Sequence, residues 1–176
     1  MRQIPTIILT AAALFAALTA RPAAAQTSPK PEPTMREMLL VRWSEIGEKV
    51  VKMAEEFPAD KYEFRPVSDV RTFADQLRHV AFWHQFVAKT ARGEKVDGSI
   101  NELSAKEYPT KTAIVAALKS AFADATAQLK SGPEDLTARK AALWVTFTEH
   151  TAEHYGQLVV YYRLNGIVPP ASRGGN

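Results

Sequence analysis

The chain has 176 residues, of which 46% are hydrophobic, and a formal net charge of +3 at pH 7. This length is enough for one well-buried domain and too short for two comfortable ones. The absence of cysteine excludes thiolate metal ligands and a cysteine nucleophile. Any chemistry must therefore use His, Glu, Asp, Tyr, Ser or Thr side chains.

The first 25 residues have the pattern of a secretory signal. Arg2 precedes an apolar run, and the run ends at the small residues Ala23, Ala24 and Ala25. Because the apolar run is interrupted by Pro5 and by threonines, and is shorter than the ~20 residues of a membrane span, a membrane anchor is the weaker interpretation. We therefore predict cleavage before Gln26 and a periplasmic or secreted protein with no membrane association.

The segment that follows, residues 26–34 (QTSPKPEPT), is polar and proline-rich and is predicted to be a flexible leader. Without residues 1–25 the chain keeps 20 basic and 19 acidic residues, and it has no run of lysine or arginine. A nearly neutral protein of this kind lacks the charge of a nucleic-acid binder.

Four amphipathic patterns then predict four helices. The first carries Leu39, Trp43, Ile46, Val50, Met53 and Phe57 and ends before Pro58; the second carries Phe73, Leu77, Val80, His84 and Val87, with Ser68 or Asp69 as its cap, and closes near Gly93. The third opens at Pro109 and Thr110 and carries Ile114, Leu118, Phe122, Ala125 and Leu129; the fourth begins at Glu134 or Asp135 and carries Leu143, Phe147, His150, His154, Leu158 and Tyr161. We expect an all-α fold, an antiparallel four-helix bundle over residues 35–173, with 174–176 as a tail.

Two histidines four residues apart, His150 and His154, lie in the apolar stripe of the fourth predicted helix. Residues at this spacing face the same way and can both reach one ion. The other two histidines of the chain, His79 and His84, lie on the second predicted helix. The alternative is that these imidazoles are core residues satisfied by hydrogen bonds, but burying two side by side is costly without a shared partner. The pattern therefore predicts a metal site.

Residues 150–154 also fit the H-x-x-E-H pattern of inverted zinc peptidases. We discount this interpretation, because the pattern is short and only 22 residues remain after His154 to supply a distal ligand and a substrate cleft.

The stretches KYEFRPVSDVRTFADQLRHVA and EHYGQLVVYYRLNGIVPPASR resemble the DinB/YfiT-like family of small bacterial proteins, and the resemblance extends from about Met35 to Arg173. The family motifs correspond here to Arg65-Pro66, His79, His150, His154, Gly156, Arg163 and Pro169-Pro170. The resemblance implies a four-helix bundle in which His79, His150 and His154 bind a divalent metal, often zinc or nickel, in proteins that are frequently dimers. Some relatives are metal-dependent transferases that use small thiols, some are hydrolases, and most have no assigned reaction.

Helical periodicity alone favours a different third ligand. Counting 100° per residue from Phe73 places His84 near the centre of the apolar arc and His79 on its flank. We follow the family pattern and assign His79, with His84 as the alternative. Glu153, beside the histidine stripe, is either a solvated charge or a hydrogen-bond acceptor or base at the metal.

Phe82 lies about opposite the apolar arc of the second predicted helix, so it would be exposed in a monomer. Together with Phe86 it indicates an aromatic surface for a homodimer.

These residues leave more than one class of function open. The first is a metal-dependent hydrolase or transferase acting on a small molecule of unknown identity. The second is an exported metal-binding or sensing protein without catalysis, and the third is a helical interaction module with structural histidines. Because an exported protein rarely meets a reduced small thiol, hydrolysis or another Lewis-acid reaction is favoured over thiol transfer.

Overall fold

The computed structural model describes residues 31–174. The predicted signal segment, residues 1–25, and the first part of the predicted leader lie outside the described residues. Four helices span Met35–Glu56 (α1), Phe73–Ala91 (α2), Lys111–Ser131 (α3) and Ala138–Leu164 (α4), with short 3₁₀ turns at Ala59–Lys61 and Pro170–Ser172. Residues 31–174 form no β-strand, so the all-α, four-helix prediction is confirmed.

A threonine caps the start of every one of these helices. The side chains of Thr34, Thr72, Thr110 and Thr137 each accept a hydrogen bond from the backbone N–H three residues later. A cap of this kind stabilises a helix by about 1 kcal/mol, because it satisfies an N–H group that has no partner inside the helix.

Thr110 was the predicted start of the third helix, and that prediction is confirmed. The predicted caps of the second helix, Ser68 or Asp69, and the predicted start of the fourth, Glu134 or Asp135, are wrong. Thr72, three residues after Asp69, caps the second helix, and Thr137, two residues after Asp135, caps the fourth. The predicted residues lie in the segments that precede these helices.

The direction of each helix follows from its contacts. α1 and α3 run antiparallel, since Trp43 near the start of α1 donates its indole N–H to Thr126 near the end of α3. α2 and α4 also run antiparallel, since Gln76 in the first turn of α2 contacts His154 in the second half of α4.

The other two neighbouring pairs run parallel. Arg92 at the end of α2 pairs with Asp124 in the second half of α3, and Tyr162 near the end of α4 donates to the carbonyl of Met53 near the end of α1. The antiparallel arrangement that the sequence predicted thus holds for two of the four contacting pairs. α2 and α3 are parallel because the connection 92–110 is long enough to span the roughly 28 Å length of α2. α3 therefore begins beside the start of α2 and runs in the same direction.

Two apolar clusters fill the interior of the bundle. One includes Phe57, Phe73, Leu77, Ile114, Leu158 and Tyr162, and the other includes Leu39, Trp43, Val87, Leu129 and Trp144. α1 and α3 approach closely at Gly47, where a β-carbon would lie 2.0 Å from the ring of Phe122. None of the helices within residues 31–174 combines the length and the apolar character that crossing a membrane requires.

Phe82 is buried, with 8% of its surface exposed, so the prediction that it is exposed in a monomer is wrong. The connection 92–110 lies along this side of α2: the N–H of Leu103 donates to the carbonyl of Arg78, and the Arg78 side chain donates to the carbonyl of Tyr108. Arg78 precedes Phe82 by one helical turn, so the two residues share a face. Helical periodicity does not register a covering loop, which is why it misplaced this side chain.

Candidate metal centre

Three histidines converge between α2 and α4. Nε2 of His150 lies 3.1 Å from Nε2 of His79 and 3.1 Å from Nε2 of His154. One ligand atom from each of the three lies within 4.8 Å of the others. Three imidazoles with their nitrogens turned toward one point could bind a metal ion.

The antiparallel contact of α2 with α4 produces this convergence. His150 and His154 are one turn apart on α4 and therefore face the same way. His79 comes from the second turn of α2, which lies opposite that part of α4. His79 and His154 are each 7% exposed, whereas His150 is partly exposed.

The spacing of the nitrogens fits a divalent ion. Histidine nitrogens bind zinc at about 2.05 Å, so two of them at a tetrahedral angle lie about 3.3 Å apart. The two separations of 3.1 Å are close to this value. Three protein ligands are the number found in catalytic zinc sites, whereas structural zinc sites have four.

Hydrogen bonds at the other ring nitrogen orient His154. Its Nδ1 lies 2.9 Å from Oε1 of Gln76 and 3.0 Å from Oε1 of Gln157. Because both amide oxygens accept, the proton of a neutral imidazole belongs on Nδ1, and the lone pair belongs on Nε2, on the side of the other histidines. Sequence reasoning missed both glutamines. Gln157 has a local signal, since it lies three residues from His154 on the same helix.

The surroundings keep the three imidazoles neutral. Burial, together with the smaller effect of the charge of His154, lowers the pKa of His79 to about 3 and that of His150 to about 4. Burial also lowers the pKa of His154, against the Gln157 hydrogen bond, which raises it. The charge of Arg71 lowers the pKa of all three. A neutral imidazole is the form that binds a metal.

His84, the alternative third ligand, lies elsewhere in the core. It is 1% exposed, and its ring packs against Trp43 and Phe122. Its Nε2 lies 3.1 Å from the hydroxyl oxygen of Thr151, which in turn donates to the carbonyl of Phe147. The fold thus brings His79 into the cluster and gives His84 a structural hydrogen bond.

Glu153 is exposed on α4. Its charge raises the pKa of His154, but the hydrogen bonds to that imidazole come from Gln76 and Gln157.

Aromatic rings form one wall of the cluster. The indole of Trp83 stacks on Phe147 at 5.4 Å, and its centroid lies 6.1 Å from that of His79 and 5.9 Å from that of His150. These rings shield the imidazoles from water on this side.

A polar cleft of about 740 Å³ reaches the cluster at His154. Its lining includes Arg71, Gln76, Glu102, His154, Gln157 and Tyr161. A cleft of this size suits a small molecule. A separate, more apolar cavity of about 420 Å³, with Trp144 and Leu129 in its wall, lies where α3 turns into α4.

The part of the chain that holds the clustered histidines also matches a known protein family. The family model of the DinB superfamily matches residues 42–161, a stretch that contains all three clustered histidines. No curated protein is similar enough to the chain to count as a relative. Since the match covers more than half of the 176 residues, the chain belongs to the DinB superfamily.

Proposed function

We propose that this protein is an exported, metal-dependent enzyme that binds one zinc ion through Nε2 of His79, His150 and His154. The observation that carries the proposal is the convergence of these three nitrogens. An ion held by three neutral imidazoles keeps an open coordination position and supplies Lewis-acid chemistry.

The remaining residues of the site have separate roles in this proposal. Gln76 and Gln157 hold the His154 ring in its ligating tautomer and orientation. Trp83 and Phe147 exclude water from the aromatic side. The substrate enters from the opposite side, through the cleft lined by Arg71 and Tyr161.

The reaction that we propose is hydrolysis of a small molecule. The cleft beside His154 favours catalysis over storage or sensing of a metal, because those functions need no room for a second ligand. An exported enzyme rarely meets reduced thiols, so hydrolysis fits better than thiol transfer. Glu153 is the base in this scheme, and its exposed carboxylate lies on α4 next to the ligand His154 in the sequence.

Metal content tests the proposal. The protein purified from its own compartment should hold one zinc per chain, and His79→Ala, His150→Ala and His154→Ala should each lose it. His84→Ala serves as the matched control, since it removes a buried histidine of α2 outside the cluster; it should keep the ion, with circular dichroism confirming that all variants fold. Full occupancy in the His150 and His154 variants would overturn the site.

Catalysis needs a second measurement. A panel of ester, amide and lactone substrates should be hydrolysed by the zinc-loaded wild type and not by His150→Ala. Zinc binding without turnover of any substrate in the panel, or turnover that persists in His150→Ala, would contradict a metal-dependent hydrolase.

A further inference from the structure

Arg71 brings a positive charge to the cleft beside the histidine cluster. It lines the cleft together with His154, and 34% of its side chain is exposed. A molecule in the cleft therefore meets Arg71 and the proposed ion together.

Most of the hydrogen-bonding capacity of Arg71 is unused. Its Nε donates to Oε2 of Glu102 at 3.0 Å. A guanidinium has four more N–H bonds, on its two Nη groups, and no hydrogen bond from these groups forms within residues 31–174. Two neighbouring N–H bonds of a guanidinium match the two oxygens of a carboxylate.

The ion pair with Glu102 is of the kind that exchanges readily. The two side chains are 34% and 43% exposed, and they meet through a single N–H bond. Such half-exposed pairs are weak, because water competes for both partners. Glu102 belongs to the connection 92–110, so the carboxylate that pairs with Arg71 is on a loop and not on a helix.

Hydrogen bonds fix the backbone of Arg71 relative to the metal cluster. The hydroxyl of Tyr161 donates to the carbonyl of Arg71. Gln76 contacts His154 through its amide oxygen, and Gln76 lines the same cleft as Tyr161. The positions of His154 and Arg71 are thereby linked through Gln76 and Tyr161, as a site that holds two ends of one molecule requires.

The carboxylates of the lining disfavour a ligand that carries more than one negative charge. Asp69, Asp75 and Glu102 line the same cleft as Arg71. The carboxylate of Asp75 accepts hydrogen bonds from Thr72 and Arg78, and the charge of Arg78 offsets its own. The carboxylates of Asp69 and Glu102 repel a doubly charged phosphate. We infer that Arg71 is the substrate-recognition residue of this cleft and binds the carboxylate of a small substrate through its two Nη groups, which Glu102 on Nε leaves open. This inference rests on the proposed function, whose ion would act on another part of the same molecule.

Titration with propionate tests the inference. Binding is followed by NMR chemical shifts on wild type, Arg71→Gln and Glu102→Gln, each in zinc-loaded and metal-free form, with zinc content measured in parallel. Arg71→Gln should weaken propionate binding at least about tenfold in both forms, because a charge-assisted hydrogen bond is lost. Glu102→Gln should strengthen it, since the competing carboxylate is gone. Arg42→Gln is the matched control. It removes the arginine of an exposed Arg–Glu pair on α1, and it should leave the affinity for propionate unchanged.

The outcomes separate the inference from the proposal on which it rests. Wild-type affinity for propionate in Arg71→Gln, with the zinc content unaffected, overturns the role of Arg71 and leaves the metal site standing. A wild type that holds no zinc overturns the metal site, while the metal-free titration still decides the role of Arg71. Tighter binding of inorganic phosphate than of propionate by wild type overturns the assignment of a carboxylate.

Discussion

Nδ1 of His154 lies 2.9 Å from the amide oxygen of Gln76, across the contact between α4 and α2. A residue of one helix thus orients a candidate metal ligand of another. Gln157, on the same helix as His154, accepts at 3.0 Å from the same nitrogen. The orientation of this imidazole is therefore determined twice, once locally and once by tertiary structure.

Gln76→Leu should weaken zinc binding about 10- to 100-fold, the usual effect of losing a hydrogen-bond partner of a ligating histidine. Gln157→Leu should have a smaller effect, since Gln157 is exposed and water can replace it. Competition with a chromophoric chelator measures both affinities. Gln128→Leu, on α3 and away from the cluster, is the control, and unchanged affinity in the Gln76/Gln157 double variant would show that these amides do not orient a ligand.

His84 should make the fold sensitive to acid. Burial lowers its pKa to about 3, against an ordinary value of about 6.5 in the unfolded chain. As the pH falls between these values the unfolded state binds a proton that the folded state does not. The free energy of unfolding therefore falls by up to about 1.4 kcal/mol per pH unit from this group, and above pH ~6.5 the group has no effect.

The test compares urea denaturation of metal-free wild type and His84→Gln at about pH 7 and about pH 5. Glutamine keeps an N–H donor for Thr151 and does not titrate. The variant should lose less stability than wild type on acidification, and equal losses would mean that His84 accepts a proton in the folded state.

Gly47→Ala should destabilise the bundle by about 1–3 kcal/mol, because the new methyl group overlaps the ring of Phe122 at 2.0 Å and forces it out of its contact with Trp43. This loss outweighs the gain of up to about 1 kcal/mol that alanine brings to a helix interior. Gly156→Ala is the matched control, since nothing lies within 4 Å of its added carbon, and it should stabilise the protein. Chemical denaturation of the metal-free protein measures both changes, and a more stable Gly47→Ala would contradict the close approach of α1 and α3.

The predicted cleavage of residues 1–25 concerns a segment outside the described residues. N-terminal sequencing of protein recovered from the periplasm or the medium should start at Gln26, because the small residues Ala23 to Ala25 suit a signal peptidase. An intact Met1 in that fraction, or recovery only with membranes, would contradict the prediction.

Dimer formation stays a prediction, and sedimentation velocity of wild type should give twice the mass of one chain. Phe82 does not support a dimer, since this residue is only 8% exposed in the monomer. We expect Phe82→Glu to lower the melting temperature, because a charge is forced into an apolar environment. A monomeric wild type would remove the dimer, and an unchanged melting temperature would contradict the burial of Phe82.

The helices and the paired ligands could be predicted from the sequence because both depend on neighbours along the chain. The apolar stripes of α1 and α3 recur every three or four residues, and α4 ends at Leu164, directly before the local stop signal Asn165-Gly166, in which Gly166 has a φ of 71°. That His150 and His154 lie on the same face is likewise a property of one helix, since residues four apart share a face in any α-helix.

Only the tertiary structure decided which residue joins that pair. Periodicity measures how deeply a side chain lies in the apolar arc, and by that measure His84 is more central than His79. The exposed fractions agree, since His84 is 1% exposed and His79 is 7% exposed. Ligation depends instead on which part of a neighbouring helix a side chain meets. The antiparallel register of α2 against α4 sets His79 opposite His150 and sets His84 opposite Thr151. The same register brings Gln76 to His154, a contact between residues 78 positions apart that no local pattern contains.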